Sequence, residues 1–398
     1  MWSAKNNSEF EKSLASISHS IQEEKNANDR GMIQMVCDAN KKTISIISRN
    51  RNMKIKSVVD AKNTSESFNV FFLYDYFKEI VSAFAEEDDL FFDFVKDKGL
   101  VMKSSSGEYS IGAVELDNMI IPSDLLYNEV VPSDVQSING VVFYDNISDC
   151  SGFISNDDSA HYEAMSDVRV VCGEDLSFFG TDSKTIVRKV DVGSKILGVN
   201  DFTCSTYFIN ALSGGVTPND KIGFIEDRIV YYRYSNVEIW SRINKGDYPP
   251  VDSVLDSNDF LYYFEVDTSE LARIVRSVGV IADKTPLLFS IVSGVQDIKD
   301  SISISCNNDD GSSNMSLEVS KVELDYEDGL SFSDVEFYIY KDKLYPALNM
   351  VSTDMCRVCL HRNRKMLKLF SISSEDSTVV DSIDIVTALA NSPVAKAN

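Results

Sequence analysis

The chain holds 398 residues, too many for one ordinary domain and comfortable for two or three. Its 38 Lys and Arg against 62 Asp and Glu leave a formal net charge of −24, which excludes an outer surface that coats nucleic acid or an anionic membrane but leaves room for a small basic patch inside an acidic shell. A hydrophobic fraction of 43%, with 22 Phe and 17 Tyr, excludes a disordered chain, and 18 Gly with 8 Pro exclude collagen-like or linker-rich architectures.

The opening residues Met1-Trp2-Ser3-Ala4-Lys5-Asn6-Asn7 carry no apolar stretch of the signal-peptide kind, and no apolar run is long enough to cross a bilayer. Seven cysteines (Cys37, Cys150, Cys172, Cys204, Cys306, Cys356, Cys359) are scattered and odd in number. That usage predicts reduced thiols in a soluble protein of a cytoplasm-like compartment, with no membrane partner.

In chain order, Ser8-Glu9-Phe10-Glu11 opens a helix with Phe10, Leu14, Ile17 and Ile21 on one face, and Ser8 with Glu11 forms a capping box. Phe71-Phe72-Leu73 then leads into a second helix through Tyr76-Phe77-Lys78-Glu79-Ile80-Val81. Strands follow at 90–95, 100–103 and 109–114, separated by turn residues.

The same grammar returns twice. A weakly amphipathic helix is expected at 146–155, then Phe202 leads into Tyr207–Leu212, with strands at 222–225, 229–232 and 237–243. Thr268-Ser269-Glu270-Leu271 opens the third first-type helix, with Leu271, Ile274, Val275 and Val278 inward. Phe337-Tyr338-Ile339 leads into 343–348, with strands at 357–360, 366–370 and 379–385. Three copies at roughly 130 residues each fill the chain. The expected class is α+β, with two helices and antiparallel sheets per copy and domains at 1–130, 131–257 and 258–398.

Residues 145–290 carry a family resemblance. The stretch from Ala160-His161-Tyr162 to Leu176-Ser177-Phe178-Phe179 enters a turn, Gly180-Thr181-Asp182-Ser183-Lys184-Thr185. This turn resembles the Thr-Asp-Gly-His-Arg turn in the central domain of bacterial-type beta sliding clamps. Gly246-Asp247-Tyr248-Pro249-Pro250-Val251-Asp252-Ser253-Val254-Leu255 looks like the segment joining that family's second and third domains. Leu271-Ala272-Arg273-Ile274-Val275-Arg276-Ser277, through Ala282-Asp283-Lys284, resembles the opening helix of its third domain. The likeness thins towards both ends of the chain.

The resemblance implies a processivity factor without catalysis or cofactor. Two three-domain subunits close a six-domain ring around duplex DNA, and helices line the hole. A pocket between domains two and three holds DNA polymerase and the clamp loader. On this chain the pocket would be lined by Ala164, Thr181, Ser183, Lys184, Ile186, Pro249, Val254, Leu367, Ile385 and Val386. Ser183 stands where the family has glycine and Lys184 where it has histidine, which bears on peptide preference. Tyr109 and Ile111 would meet Val280 and Ile281 of a second copy in the homodimer.

DNA-facing candidates are Lys12, Lys25, Arg30, Lys78, Arg273, Arg276, Lys341 and Lys343. One exposed cation on a helix means little, but Arg273 and Arg276, three apart on one polar face, favour phosphate contact. The middle copy departs from this pattern: Asp145, Asp149, Asp157 and Asp158 surround its first helix, and its second is uncharged. A clamp-fold scaffold or transcription co-factor that does not encircle DNA therefore stands as an alternative.

Signals for an enzyme are poor. Cys356-Arg357-Val358-Cys359 lacks a second pair for zinc, and in a strand its thiols point to opposite faces. His19, His161 and His361 sit in no nucleophile arrangement, and His361 opens a basic turn, His361-Arg362-Asn363-Arg364-Lys365, read as a solvated hairpin tip. No glycine-rich phosphate loop or calcium loop is present. A carboxylate-dependent enzyme remains the weaker rival. The divergence and the Asn/Ser-rich surface suit a phage or other mobile replicon.

Overall fold

A computed structural model describes residues 1–4, 7–21, 31–84, 90–105, 107–118, 130–155, 162–282, 284–292, 300–324, 335–375, 377–379 and 383–390. Helices are α1 (Asn7–Ile17), α2 (Tyr74–Ala83), α3 (Gly140–Ser151), α4 (Thr206–Leu212), α5 (Asp252–Leu255), α6 (Thr268–Val278) and α7 (Lys341–Asn349). The strand pairings among the described residues are antiparallel, so the class is α+β as expected. The chain forms two compact units: Met1–Asp145 with Ile196–Lys245, and Asn146–Lys195 with Gly246–Asn398.

In the first unit, strand Met53–Asn63 joins parts of the chain that lie far apart in sequence. One side pairs with Thr43–Arg49, with Ile46 opposite Ser57. The other pairs with Val237–Arg242, with Ile239 opposite Ile55 and Trp240 opposite Lys54. Helix α1 lies on this sheet and buries Phe10, Leu14 and Ile17. Phe10 meets Phe92 at 5.0 Å and Phe72 meets Phe77 at 4.8 Å, so the aromatic-rich lead into α2 supplies the floor of this core.

Two helices depart from the sequence pattern at their boundaries. The apolar stripe predicts α1 as far as Ile21, yet the α-helix ends at Ile17 and a tighter turn follows over Ser18–Ser20. The serines are responsible: Ser18 Oγ donates to Ala15 O at 2.6 Å, and Ser20 Oγ and Ser48 Oγ both donate to Ile17 O. Helix α3 begins at Gly140 rather than near Asn146, and stops at Ser151. Asn139 Oδ1 accepts the Val142 N–H at 3.4 Å, and a Cβ at Gly140 would fall 2.0 Å from Asp220 Oδ2. A glycine that reads as a breaker is thus the close approach that starts the helix.

The second unit carries strands in the spatial order Asp167–Cys172, Leu176–Thr181, Thr185–Asp191, Ile383–Ala388, Met366–Ile372, Met355–His361, Phe260–Asp267 and Lys321–Leu324. Its central pairing sets Ile186 opposite Val386 and Val187 opposite Ile385. A smaller sheet orders Gly311–Glu318, Ser301–Asn308, Leu287–Val292 and Glu336–Ile339. Helix α6 begins where Asp267 Oδ1 accepts the Glu270 N–H at 2.7 Å, and it buries Leu271, Ile274, Val275 and Val278 as the periodicity predicts. It packs beside α7, and Lys341 Nζ donates to Gly279 O at 3.1 Å, placing a cation on the α6 C-terminus. The last expected strand shifts from 379–385 to Ile383–Ala388, with only an isolated bridge at Val379.

Candidate functional site

The described part of the candidate site lies in the second unit. Strands Leu176–Thr181 and Thr185–Asp191 meet in a turn built by side-chain bonds. Thr181 Oγ1 donates to Thr185 O at 2.9 Å and accepts the Ser183 N–H at 3.2 Å. Asp182 Oδ1 accepts the N–H groups of Lys184 and Thr185 at 2.9 and 2.7 Å. Ser183 has φ 69°, the left-handed region that favours glycine. Lys343 Nζ donates to Asp182 Oδ2 at 2.7 Å. Burial opposes the Asp182 charge, but that ammonium and the two backbone donors outweigh it and hold the carboxyl below its ordinary value.

Beside the turn, Phe179, Val251, Leu255 and Val386 form a buried apolar cluster, with Ile186, Val254, Tyr248 and Met366 packed against it. Helix α5 supplies one wall and is tied down by charge. Lys368, only 5% exposed, donates from Nζ to Leu255 O and lies 3.3 Å from Asp384 Oδ1. Arg188 donates from Nε and Nη2 to Asp384 Oδ2 at 2.9 and 2.5 Å, and from Nη1 to Asp256 Oδ1 at 3.0 Å. One buried and one half-buried cation, with their carboxylates, thereby fasten a four-residue helix to the sheet.

A shallow, open recess lies against this cluster. Val254, Phe260, Met366, Leu367 and Val386 supply its apolar lining, and Ser257 and His361 its polar end. The Asn363 N–H donates to His361 Nδ1 at 3.2 Å, so Nε2 carries the hydrogen and donates to Ser257 Oγ at 2.7 Å. The arrangement offers a shallow apolar surface against which a side chain of an extended segment can pack. Among the described residues, no cluster of His, Cys, Asp and Glu could hold a metal ion, and no helix is long and apolar enough to cross a membrane.

Of the ten pocket candidates, Val254, Leu367 and Val386 line the recess, and Ile186 packs on its cluster. Ser183 and Lys184 are exposed on the turn, while Thr181 is buried as its hinge. Pro249 is half-buried, and its carbonyl accepts the Val251 N–H at 2.8 Å. Ala164 is fully buried in the turn Glu163–Ser166, and Ile385 is buried one residue before Val386. The sequence reading missed Phe260, Met366, Ser257, His361 and Lys368. His361 read as a solvated tip because its partner, Ser257, lies 104 positions away in the chain.

Among the DNA-facing candidates, Lys12 on α1 and Lys78 on α2 are exposed in the first unit. Arg273 and Arg276 are exposed on α6, with Glu270 Oε1 3.6 Å from Arg273 Nη2. Lys341 and Lys343 are engaged with Gly279 and Asp182. Lys25 and Arg30 lie outside the described residues, as do His161, Asp157 and Asp158. Of the interface candidates, Tyr109 (49% exposed) and Ile111 (buried) sit on the edge strand Glu108–Ile111, and Val280 (77% exposed) and Ile281 follow α6.

The crystal structure of the DNA polymerase III beta chain from Streptococcus pneumoniae TIGR4 superposes with a TM-score of 0.83 at 14% identity, over 98% of this chain and 99% of that one. The fold is that of a bacterial beta sliding clamp. The DNA polymerase sliding clamp of Bacillus subtilis matches with a TM-score of 0.80 at 13% identity, over 98% of this chain and 99% of that one. The beta subunit of Thermotoga maritima matches at 0.79 and 13%, over 99% and 100%. No family model and no curated protein matches the sequence. The beta-clamp fold therefore persists here at an identity where few side chains are shared.

Proposed function

We propose that the chain is one subunit of a DNA sliding clamp, a processivity factor that two copies close around duplex DNA in the cytoplasm, the host's if the replicon is a phage. The observation that carries this reading is full-length likeness to beta clamps at TM-scores up to 0.83. On this reading the three copies at 1–130, 131–257 and 258–398 are the clamp domains, and strand Glu108–Ile111 pairs with the region after α6 of a second copy.

The proposed DNA contacts are Lys12, Lys78, Arg273 and Arg276, few enough to let a ring slide, since each neutralised phosphate adds affinity and salt dependence. The recess between α5 and strand Met366–Ile372 takes an apolar segment of the polymerase or the loader. No reaction is assigned to any residue. Light scattering near twice 44.5 kDa and retention on nicked circular DNA, released when the circle is cut, are the expected results. A strict monomer at high concentration overturns the ring. A scaffold that does not encircle DNA is the second reading, favoured by α3, which carries Asp145 and Asp149 and no Lys or Arg.

A further inference from the structure

Strand Ile383–Ala388 ends between two cationic segments. The Ala388 N–H donates to Lys184 O at 2.7 Å on one side, and the Leu389 N–H donates to Lys365 O at 2.8 Å on the other. The register agrees, since Thr387 lies opposite both Thr185 and Leu367. Arg364 precedes Lys365 in the same turn, and its N–H donates to His361 O at 2.8 Å. Lys184, Arg364 and Lys365 are all exposed, and none forms an ion pair among the described residues.

The turn that carries two of them is held in place. Arg362 donates from its N–H and Nε to Asp259 O and Oδ1 at 2.9 and 2.8 Å, and the Lys365 N–H donates to Asn363 Oδ1 at 2.9 Å. His361 and Met366, which bracket the turn, both line the recess. Nearby carboxylates are largely engaged: Asp182 with Lys343, Asp256 with Arg188, Asp259 with Arg362, and Asp384 with Arg188 and Lys368. Asp247 and Asp252, on the α5 side, are exposed.

Three exposed cations thus lie in the turns beside the end of strand Ile383–Ala388, whose Val386 lines the recess, in a chain of net charge −24. We propose that the recess takes a peptide whose apolar anchors are flanked by Asp or Glu, read by Lys184, Arg364 and Lys365. This rests on the reading of the recess as a peptide site and adds the charge rule to it. Burying the anchors supplies most of the affinity, and the cations supply orientation and discrimination against basic segments. A nucleic acid strand suits the site less well, because the recess is lined mostly by apolar side chains.

The test uses the full chain and three labelled peptides with the same two apolar anchors, flanked by Glu, Ser or Lys, read by fluorescence anisotropy. The Glu-flanked peptide should bind on the order of tenfold tighter than the Lys-flanked one at low salt, with Ser between, and the spread should collapse in 0.5 M salt. The triple variant Lys184→Glu, Arg364→Glu, Lys365→Glu should invert the order of the Glu- and Lys-flanked peptides. Equal affinities for the three peptides, or an unchanged order in the triple variant, overturn the charge rule alone. Failure of all three to bind overturns the peptide-site reading and the charge rule with it. Displacement of the Glu-flanked peptide by an equal concentration of single-stranded oligonucleotide would make this a nucleic acid site and overturn the proposal.

Discussion

Lys343 Nζ sits 2.7 Å from Asp182 Oδ2, so a cation at the start of α7 holds the turn that precedes Ile186 and the apolar cluster. A lysine that resembles a DNA contact in the sequence is thus a partner of the candidate peptide site. Replacing it with methionine leaves a half-buried carboxylate without its ammonium. Lys343→Met should cost about 1–2 kcal/mol in urea unfolding at pH 7. Asp182 titrates below its unfolded value of about 3.9, so the bridge contributes fully at neutral pH and fades as pH falls through the depressed value. The gap between wild type and variant should therefore shrink at pH 3. A gap that persists there would assign the loss to packing instead.

The charge cluster behind α5 predicts a second effect. Lys368→Met removes the donor to Leu255 O and one of the two cations on Asp384. A cost of about 2–4 kcal/mol is expected, because a buried carbonyl and a carboxylate lose partners. Lys368→Arg should restore part of it. Thermal unfolding of the three proteins checks the order.

Met366 is half-buried on the recess wall, so its truncation should weaken binding more than folding. Met366→Ala is expected to lower affinity for an apolar peptide by roughly tenfold and to move the Tm by no more than about 2 °C. Anisotropy and calorimetry on the same samples separate the two.

Arg273 and Arg276 lie exposed on the polar face of α6, away from the buried Leu271, Ile274 and Val275. Arg273→Glu with Arg276→Glu should leave the fold and oligomeric state intact and shorten retention on nicked circles. Retention equal to wild type at every salt concentration would remove these residues from the DNA-facing set.

Burial raises the Cys356 and Cys359 thiols to about 12, so neither is a thiolate at neutral pH. Both should resist iodoacetamide in the folded protein and react fully in urea, as mass spectrometry would show. Rapid labelling under native conditions would contradict their burial.

Much of the fold was legible in the sequence because it rests on local periodicity. The apolar faces of α1 and α6 and the strand–helix grammar around α2 and α4 are set by spacings of two and of three or four residues. Boundaries failed where a distant group decided them. Only glycine fits at the first residue of α3 because Asp220 and Tyr232 crowd it, and α1 stops where Ser48, from strand Thr43–Arg49, donates to the Ile17 carbonyl.

The candidate site divides along the same line. The Thr181–Thr185 turn was legible through its resemblance to the family's turn, and its Asp and Thr side chains close it with bonds that span two to four positions. His361 on Ser257, Lys368 on Leu255 and Lys343 on Asp182 were not readable, since their partners lie 104, 113 and 161 residues away. The sequence by itself determined the α+β class, the apolar helix faces and the net negative charge, which are sums over local choices and composition. Only the tertiary structure decided which cations are free to meet a partner and which are consumed within the fold. Charge pairing depends on distance in space, and the sheet sets that distance when it brings strand 383–388 between strands 185–191 and 366–372.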